Sequence, residues 1–220
     1  MGVLRKLALA AGGLLTVWVA WGVVSSRTTD RVSYLTLDRI DGIEIRRYPQ
    51  TVLVETTAPN SVTAFRRLFR YLKGANERSE SVSMTAPVSI TGDVTGAIPP
   101  VPVPGGTGES ISMTAPVQTG RDGNGVRMAF YLPQEYTAES APTPTDPAVR
   151  LVVEPQQTVA VRRFSWYASP GRVERERQRL FEFLERSDFI PRGEPYVLQY
   201  DDPWTPPFMR TNEIAVPIER

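Results

Sequence analysis

Neither cysteine nor histidine occurs anywhere in the 220 residues. Without cysteine there is no disulfide, no thiolate metal site, no cysteine nucleophile and no lipidated N-terminal cysteine. Without histidine the chain lacks the usual base of a Ser-His-Asp site and the commonest ligand of zinc and of haem iron. Lysine is nearly missing as well, with Lys6 and Lys73 set against 23 arginines. No charge of one sign prevails: the formal net charge is +1, so no field points to nucleic acid or to an acidic substrate. What is present is an ordinary globular balance, 41% apolar and 22% charged, in a chain long enough for one generous domain or two small ones. A monomer without a nucleic-acid partner is expected.

Leu7–Val24, "LALAAGGLLTVWVAWGVV", runs 18 residues without a charge behind Arg5 and Lys6. As a helix it would span about 27 Å, close to the roughly 30 Å hydrocarbon core of a bilayer. Ala20-Trp21-Gly22 offers a weak cleavage site, but the length and the two tryptophans favour an uncleaved anchor over a cleaved signal. Residues 1–28 therefore read as a transmembrane signal anchor with a connector, and residues 29–220 as the globular domain. That places the domain outside the cytoplasm on a membrane, or secreted if the segment is cleaved. Arg27 and Arg31 on the far side weaken that orientation.

Beyond the connector, Ile43–Arg47 and Thr51–Glu55 alternate like two strands joined at Tyr48-Pro49-Gln50. Asn60 or Ser61 can cap a helix that runs to about Lys73 and stops at Gly74. Its apolar positions Val62, Phe65, Phe69 and Leu72 keep helical spacing, and Arg66, Arg70 and Lys73 form a basic stripe. The pentapeptide Met-Thr-Ala-Pro-Val then occurs twice, at Met84–Val88 and Met113–Val117. Period two predicts half-buried strands, with Ile111, Met113, Ala115 and Val117 on one face of the second and its proline at an edge, bulge or strand end. Thr91–Ser110 between them reads as a Gly/Pro-rich excursion, Val126–Leu132 as a strand and Ser140–Val149 as a linker.

Two internal matches point to duplication. Gln50-Thr51-Val52-Leu53-Val54 returns as Gln157-Thr158-Val159-Ala160-Val161, and Arg67-Leu68-Phe69 returns as Arg179-Leu180-Phe181. Their shared order predicts an α+β fold: a distorted antiparallel β-barrel from a duplicated β-β-α-β unit, about residues 40–135 and 148–219, flanked by two helices. Val173, Leu180, Phe181 and Leu184 suit the buried face of the second helix. Near the C-terminus, "YDDPWTPPFMRTNEIAVPI" (Tyr200–Ile218) sets Trp204, Phe208 and Met209 in a proline-stiffened loop before a strand at Glu213–Ile218. Such a loop can hold apolar side chains over a groove, or pack down to cover a sheet edge.

The twin pentapeptides, "MAFYLPQEY" (Met128–Tyr136), "PTPTDPAVRL" (Pro142–Leu151) and the C-terminal segment resemble the SOUL haem-binding protein family from about Val32 onward. The resemblance implies a distorted barrel similar to the effector-binding domains of bacterial transcription regulators. It also implies non-covalent binding of haem or another tetrapyrrole between the first helix and the C-terminal loop. A histidine ligand assigned in some members has no counterpart here, so any axial ligand falls to Met209, with Tyr71 next. Arg66, Arg67, Arg70 and Arg210 are the partners available to propionates, and Trp204 and Phe208 would contact the macrocycle. Met84, Met113 and Met128 sit in the apolar phase of their strands and read as core. Asp201-Asp202 and Glu44 with Glu55 supply carboxylates, but adjacent residues point apart on a strand, and Gly105–Gly108 lacks a phosphate-loop lysine, so no enzyme is expected. The open alternatives are a module for another amphiphile, or an interaction domain whose own side chains fill the groove.

Overall fold

The structure, a computed structural model, describes residues 31–77, 111, 114–122, 125–201 and 204–220. The expected anchor, the first pentapeptide, the Gly105–Gly108 turn, Met84 and Met113 lie outside the described residues. Among the described residues no helix is long and apolar enough to cross a membrane.

Among the described residues ten strands form one sheet: β1 (Leu35–Ile40), β2 (Ile43–Tyr48), β3 (Thr51–Ala58), β4 (Val117–Asp122), β5 (Gly125–Tyr131), β6 (Val149–Glu154), β7 (Gln157–Phe164), β8 (Ile190–Pro191), β9 (Tyr196–Gln199) and β10 (Asn212–Glu219). Helices α1 (Ser61–Leu72) and α2 (Pro170–Leu184) follow β3 and β7. The α+β class and the two helices are as expected; the barrel is not. The strand order is β1-β2-β7-β10-β9-β4-β5-β3-β6, with β8 on β10, and the path ends at β1 and β6 instead of closing. Closure would need those two strands to pair; they do not, and β1 stays almost wholly exposed, Leu35, Leu37 and Ile40 included. A tight turn folds β1 back on β2 instead, at Asp41 (φ 51°), a residue type that tolerates the left-handed region, and Gly42 (φ 75°), which meets it without steric cost.

Inward from its two ends the order reads alike, β2-β7-β10-β9 against β6-β3-β5-β4, meeting at the β9–β4 pair. Consecutive strands β2 and β3 do not pair; β2 pairs with β7 and β6 with β3, so each half lends its first strand to the other. The pentapeptide match is one residue out of phase with this symmetry. Val52 lies under α1, whereas Val159 lies on the face away from both helices. In a strand a one-residue slip exchanges the two faces. The helical match keeps phase, since Leu68 and Leu180 are both buried beneath their helices.

Both helices pack on one face of the sheet. α1 is capped by Asn60, whose Oδ1 accepts the Thr63 N–H at 2.9 Å, and ends at Gly74, with φ 96°. Its buried residues are Ser61, Ala64, Leu68, Tyr71 and Leu72, so the contact stripe is rotated from the expected one: Val62, Phe65 and Phe69 are only half-buried. Phe65 still meets Phe130 edge-on at 5.6 Å. α2 buries Leu180, Phe183 and Leu184, leaving Val173 and Phe181 at its margin. The opposite face carries Tyr48, Tyr131, Tyr196 and Tyr200 among Leu53, Val159, Val161 and Leu198. Tyr48 on β2 and Tyr131 on β5 are within electrostatic reach of each other. Five strand spacings separate them in the order, about 24 Å if flat. The sheet therefore curls sharply about this tyrosine face without closing.

The second pentapeptide departs from plain alternation. Ile111 and Val117 lie under α1, but Ala115 faces the tyrosine side, and Thr114 is buried as well. The Ala115–Pro116 peptide is cis and β4 begins only at Val117, so Pro116 stands at the strand end its missing N–H requires. The stretch read as a linker is anchored to the end of α1. Tyr71 donates its hydroxyl to the Pro142 carbonyl at 2.8 Å, and the Glu77 and Thr145 N–H groups donate to Thr143 and Ala75.

Candidate functional site

The inward face of the curled sheet holds a charged knot that composition gave no reason to expect. Arg46 and Glu213 are both fully buried and paired end-on, Nη1 to Oε2 at 2.7 Å and Nη2 to Oε1 at 2.8 Å. Arg46 Nε also donates to Glu44 at 2.8 Å, Arg163 Nε to Glu213 at 3.1 Å, and the Tyr200 hydroxyl to Glu213 at 2.6 Å. The Tyr34 ring lies 4.2 Å from the Arg46 guanidinium. Burial alone would raise the Glu213 carboxyl; Arg46, Tyr200 and Arg163 outweigh it and hold the group below its ordinary range. Burial raises the hydroxyls of Tyr48, Tyr131, Tyr196 and Tyr200, which stay protonated at neutral pH. Arg46 and Arg163 balance Glu44 and Glu213 in charge, and the exposed Arg39 adds a bridge to Glu44 at 3.2 Å from outside. The knot is a structural centre, not a general acid–base pair.

The expected site residues fall into two sets. On α1, Arg66 is exposed, Arg67 donates to the Thr57 carbonyl at 3.0 Å, and Arg70 pairs with Asp146 at 3.1 Å. Tyr71 is removed from the candidate iron ligands: it is buried in the α1 core with its hydroxyl committed to Pro142. The helix packs on β3, β5 and β6. The second set lies in the β9–β10 connection, where Pro207–Met209 form a single 3-10 turn. That loop sits against the β7–α2 connection. Arg210 lies 4.7 Å from the Tyr167 ring and its Nε donates to the Thr205 carbonyl at 3.1 Å. Asn212 donates to the Trp166 carbonyl at 2.7 Å.

Together the two connections expose four aromatic rings: Trp204 at 60%, Trp166 at 50%, Phe208 at 49% and Tyr167 at 47%. Trp166 has φ 74°, a left-handed conformation that costs a bulky residue about 1–3 kcal/mol and that the rest of the fold must maintain. Met209 is half-buried, and the Thr205 hydroxyl is buried without a hydrogen-bond partner among the described residues. Pro206 and Pro207 fix φ at two positions between Trp204 and Phe208, which lowers the entropy cost of ordering that loop. The sequence showed Trp204, Phe208, Met209 and Arg210; it did not show that Trp166 and Tyr167 join them across 38 residues, Trp166 to Trp204. The signal available was an aromatic pair followed by Ala-Ser-Pro-Gly, just before a helix start.

The sequence profile of the SOUL heme-binding proteins matches residues 29–101 and 103–217. The chain belongs to the SOUL heme-binding protein family. This SOUL domain is similar in fold to the C-terminal domain of EcmrR, with a TM-score of 0.51 at 11% identity, over 85% of this chain and 98% of that domain. EcmrR in its DNA complex gives 0.53 at 10% identity, over 99% of this chain and 71% of that one. A hydrolase from Listeria innocua gives 0.50 at 10% identity, over 83% and 94%. At these identities the likeness shows the fold alone. Among curated proteins none matches the chain.

The donor set fits a planar amphiphile bearing carboxylates better than it fits iron. Four exposed rings and the Arg210 guanidinium suit the first, while for a metal the patch offers one thioether. Among the described residues no cluster of three acidic side chains could hold a metal ion.

Proposed function

We propose that this SOUL protein binds haem or a related tetrapyrrole non-covalently, as a carrier, buffer or sensor and not as an enzyme. The observation that carries the reading is the meeting of the β7–α2 and β9–β10 connections, through Arg210 over the Tyr167 ring and Asn212 on the Trp166 carbonyl, in two connections that also expose Trp204 and Phe208. The aromatic rings would take the macrocycle face, Arg210 a propionate, and Met209 Sδ the iron if it is ligated. Bound haem supplies an iron centre and a visible spectrum; the chain supplies apolar contact, orientation and charge. The α1 arginines Arg66, Arg67 and Arg70 complete the site if the ligand reaches from the loop to the helix. The symmetric strand order and the in-phase helical match support descent from a duplicated unit, over about residues 40–135 and 148–219. The uncharged run Leu7–Val24 supports anchoring in a membrane with the domain on the extracytoplasmic side, and secretion if the run is cleaved.

Titrating the full chain in detergent with haem tests this. The expected result is a Soret shift with quenching of Trp204. Trp204→Ala with Phe208→Ala should weaken binding about tenfold or more, equivalent to about 1.4 kcal/mol. If neither spectrum nor fluorescence changes at micromolar haem, the proposal fails. A second reading is favoured by the lack of histidine and the committed Tyr71 hydroxyl: the patch binds amphiphiles with no iron bond. Metal-free porphyrin would then bind as tightly as haem, and Met209→Ala would leave the Soret band where it is in wild type.

A further inference from the structure

We propose that the aromatic end of the molecule, formed by Trp166, Tyr167, Trp204 and Phe208, rests on the phospholipid surface of the membrane in which the chain is anchored. Residues 1–30 join the fold at Arg31, and that junction is at this same end of the sheet. Arg31 bridges to Ala115 and its guanidinium lies 5.3 Å from the ring of Tyr200. Tyr200 in turn opens the aromatic loop, with its N–H donated to the Thr211 carbonyl at 3.3 Å and Asp201 accepting the Thr211 N–H at 2.5 Å. Between Val24, the last residue of the uncharged run, and Arg31 there are seven residue steps, at most about 25 Å of extended chain. An anchor in Leu7–Val24 therefore holds Tyr200 and the loops beside it within reach of the lipid headgroups.

The chemistry of the patch suits that position. Tryptophan and tyrosine concentrate at bilayer interfaces, where an apolar ring meets hydrocarbon and its polar edge meets water. Arginine beside them extends its charge toward phosphate while its stem stays in apolar surroundings. Arg210 lies over Tyr167, and Arg172 Nη1 donates to the Tyr167 carbonyl at 3.1 Å, so cationic groups rim the rings. The left-handed Trp166 and the proline-restricted loop fix the rings outward before any contact, which a surface that must not pay to order itself on docking requires. The inference rests on membrane anchoring through Leu7–Val24 and not on tetrapyrrole binding; a patch at the interface would also meet amphiphiles dissolved in the bilayer.

The test uses the full chain with Trp18→Phe and Trp21→Phe, so that Trp166 and Trp204 are the only emitters. It is reconstituted in vesicles of phosphatidylcholine with phosphatidylglycerol, plain or brominated on the acyl chains near the headgroup. Emission should be blue-shifted relative to detergent and at least halved by bromine, and adding Trp204→Ser should remove most of the quenched signal. Failure of the chain to float with the vesicles would overturn the anchor and this inference together, leaving the haem titration untouched. A floating chain whose emission ignores bromine would overturn this inference alone. If acrylamide is excluded as well in that case, a second copy of the chain and not lipid covers the patch.

Discussion

Replacing Arg46 by methionine should cost this fold more than any single change to its exposed arginines. The side chain is fully buried and bridges Glu213 twice and Glu44 once, binding β2 to β10 across the intervening β7. Methionine replaces much of the stem, so the loss is chiefly electrostatic. Glu213 would stay buried with Arg163, itself half-exposed, and the Tyr200 hydroxyl as its remaining partners. Stranding a buried charge in this way costs about 3–5 kcal/mol, a fall of about 10 °C in Tm for a domain of this size. The pH dependence follows from the direction of the shift. In the wild type the Glu213 carboxyl is held low, so its stabilising contribution is present above the unfolded value of about 4.3 and is lost as pH falls through its folded value. In the variant burial prevails and the carboxyl rises, so the deficit is full at neutral pH and shrinks as acid protonates the stranded group. Urea unfolding of both proteins at neutral pH and at about pH 5 measures this. Pairing Arg46→Met with Glu213→Leu should recover most of the loss, because both buried charges leave together. A loss under about 1 kcal/mol, or one that is the same at both pH values, would refute the reasoning.

Burial holds the Glu154 carboxyl above its ordinary value, opposed by Gln118 and Arg127 and assisted by Glu55. The stability linked to that proton is complete below the unfolded value and is lost as pH rises through the folded one, so Glu154→Gln should raise the neutral-pH urea midpoint and flatten its pH slope. Asn60→Ala removes the acceptor of the Thr63 N–H and should lower stability by about 1 kcal/mol, seen in the urea midpoint with the native circular dichroism unchanged.

Local rules made part of this molecule legible from its residues. Asn60 and Gly74 bracket α1 almost to the residue, because a cap and a left-handed stop act on their own backbone neighbours. Period two located β3 and β5 for the same reason: alternation is a property of one strand. The loop with Trp204, Phe208, Met209 and Arg210 was visible as aromatics among prolines. Pairing was not visible. That β2 joins β7 while β3 joins β6 depends on which strands meet through the shared core, and no adjacent residues encode it. The one-residue phase error in the Thr-Val match shows the limit, since two alike strands can present opposite faces when each is registered by its own partners.

The sequence by itself determined the exclusions, the family resemblance, the helix ends and the aromatic character of one loop. It also determined that Met209 is the only methionine beside that loop. Tertiary structure decided that Tyr71 is core and not ligand, because a helix shows its period long before it shows which way it is rotated. It decided that Arg46 and Glu213, 167 residues apart, form a buried neutral pair. And it decided that Trp166 and Tyr167 stand with Trp204 and Phe208 at the end where the chain enters the fold. In each case the energy lies in contacts between distant segments. Burial and charge pairing there exist only once the sheet has curled and brought its two halves together.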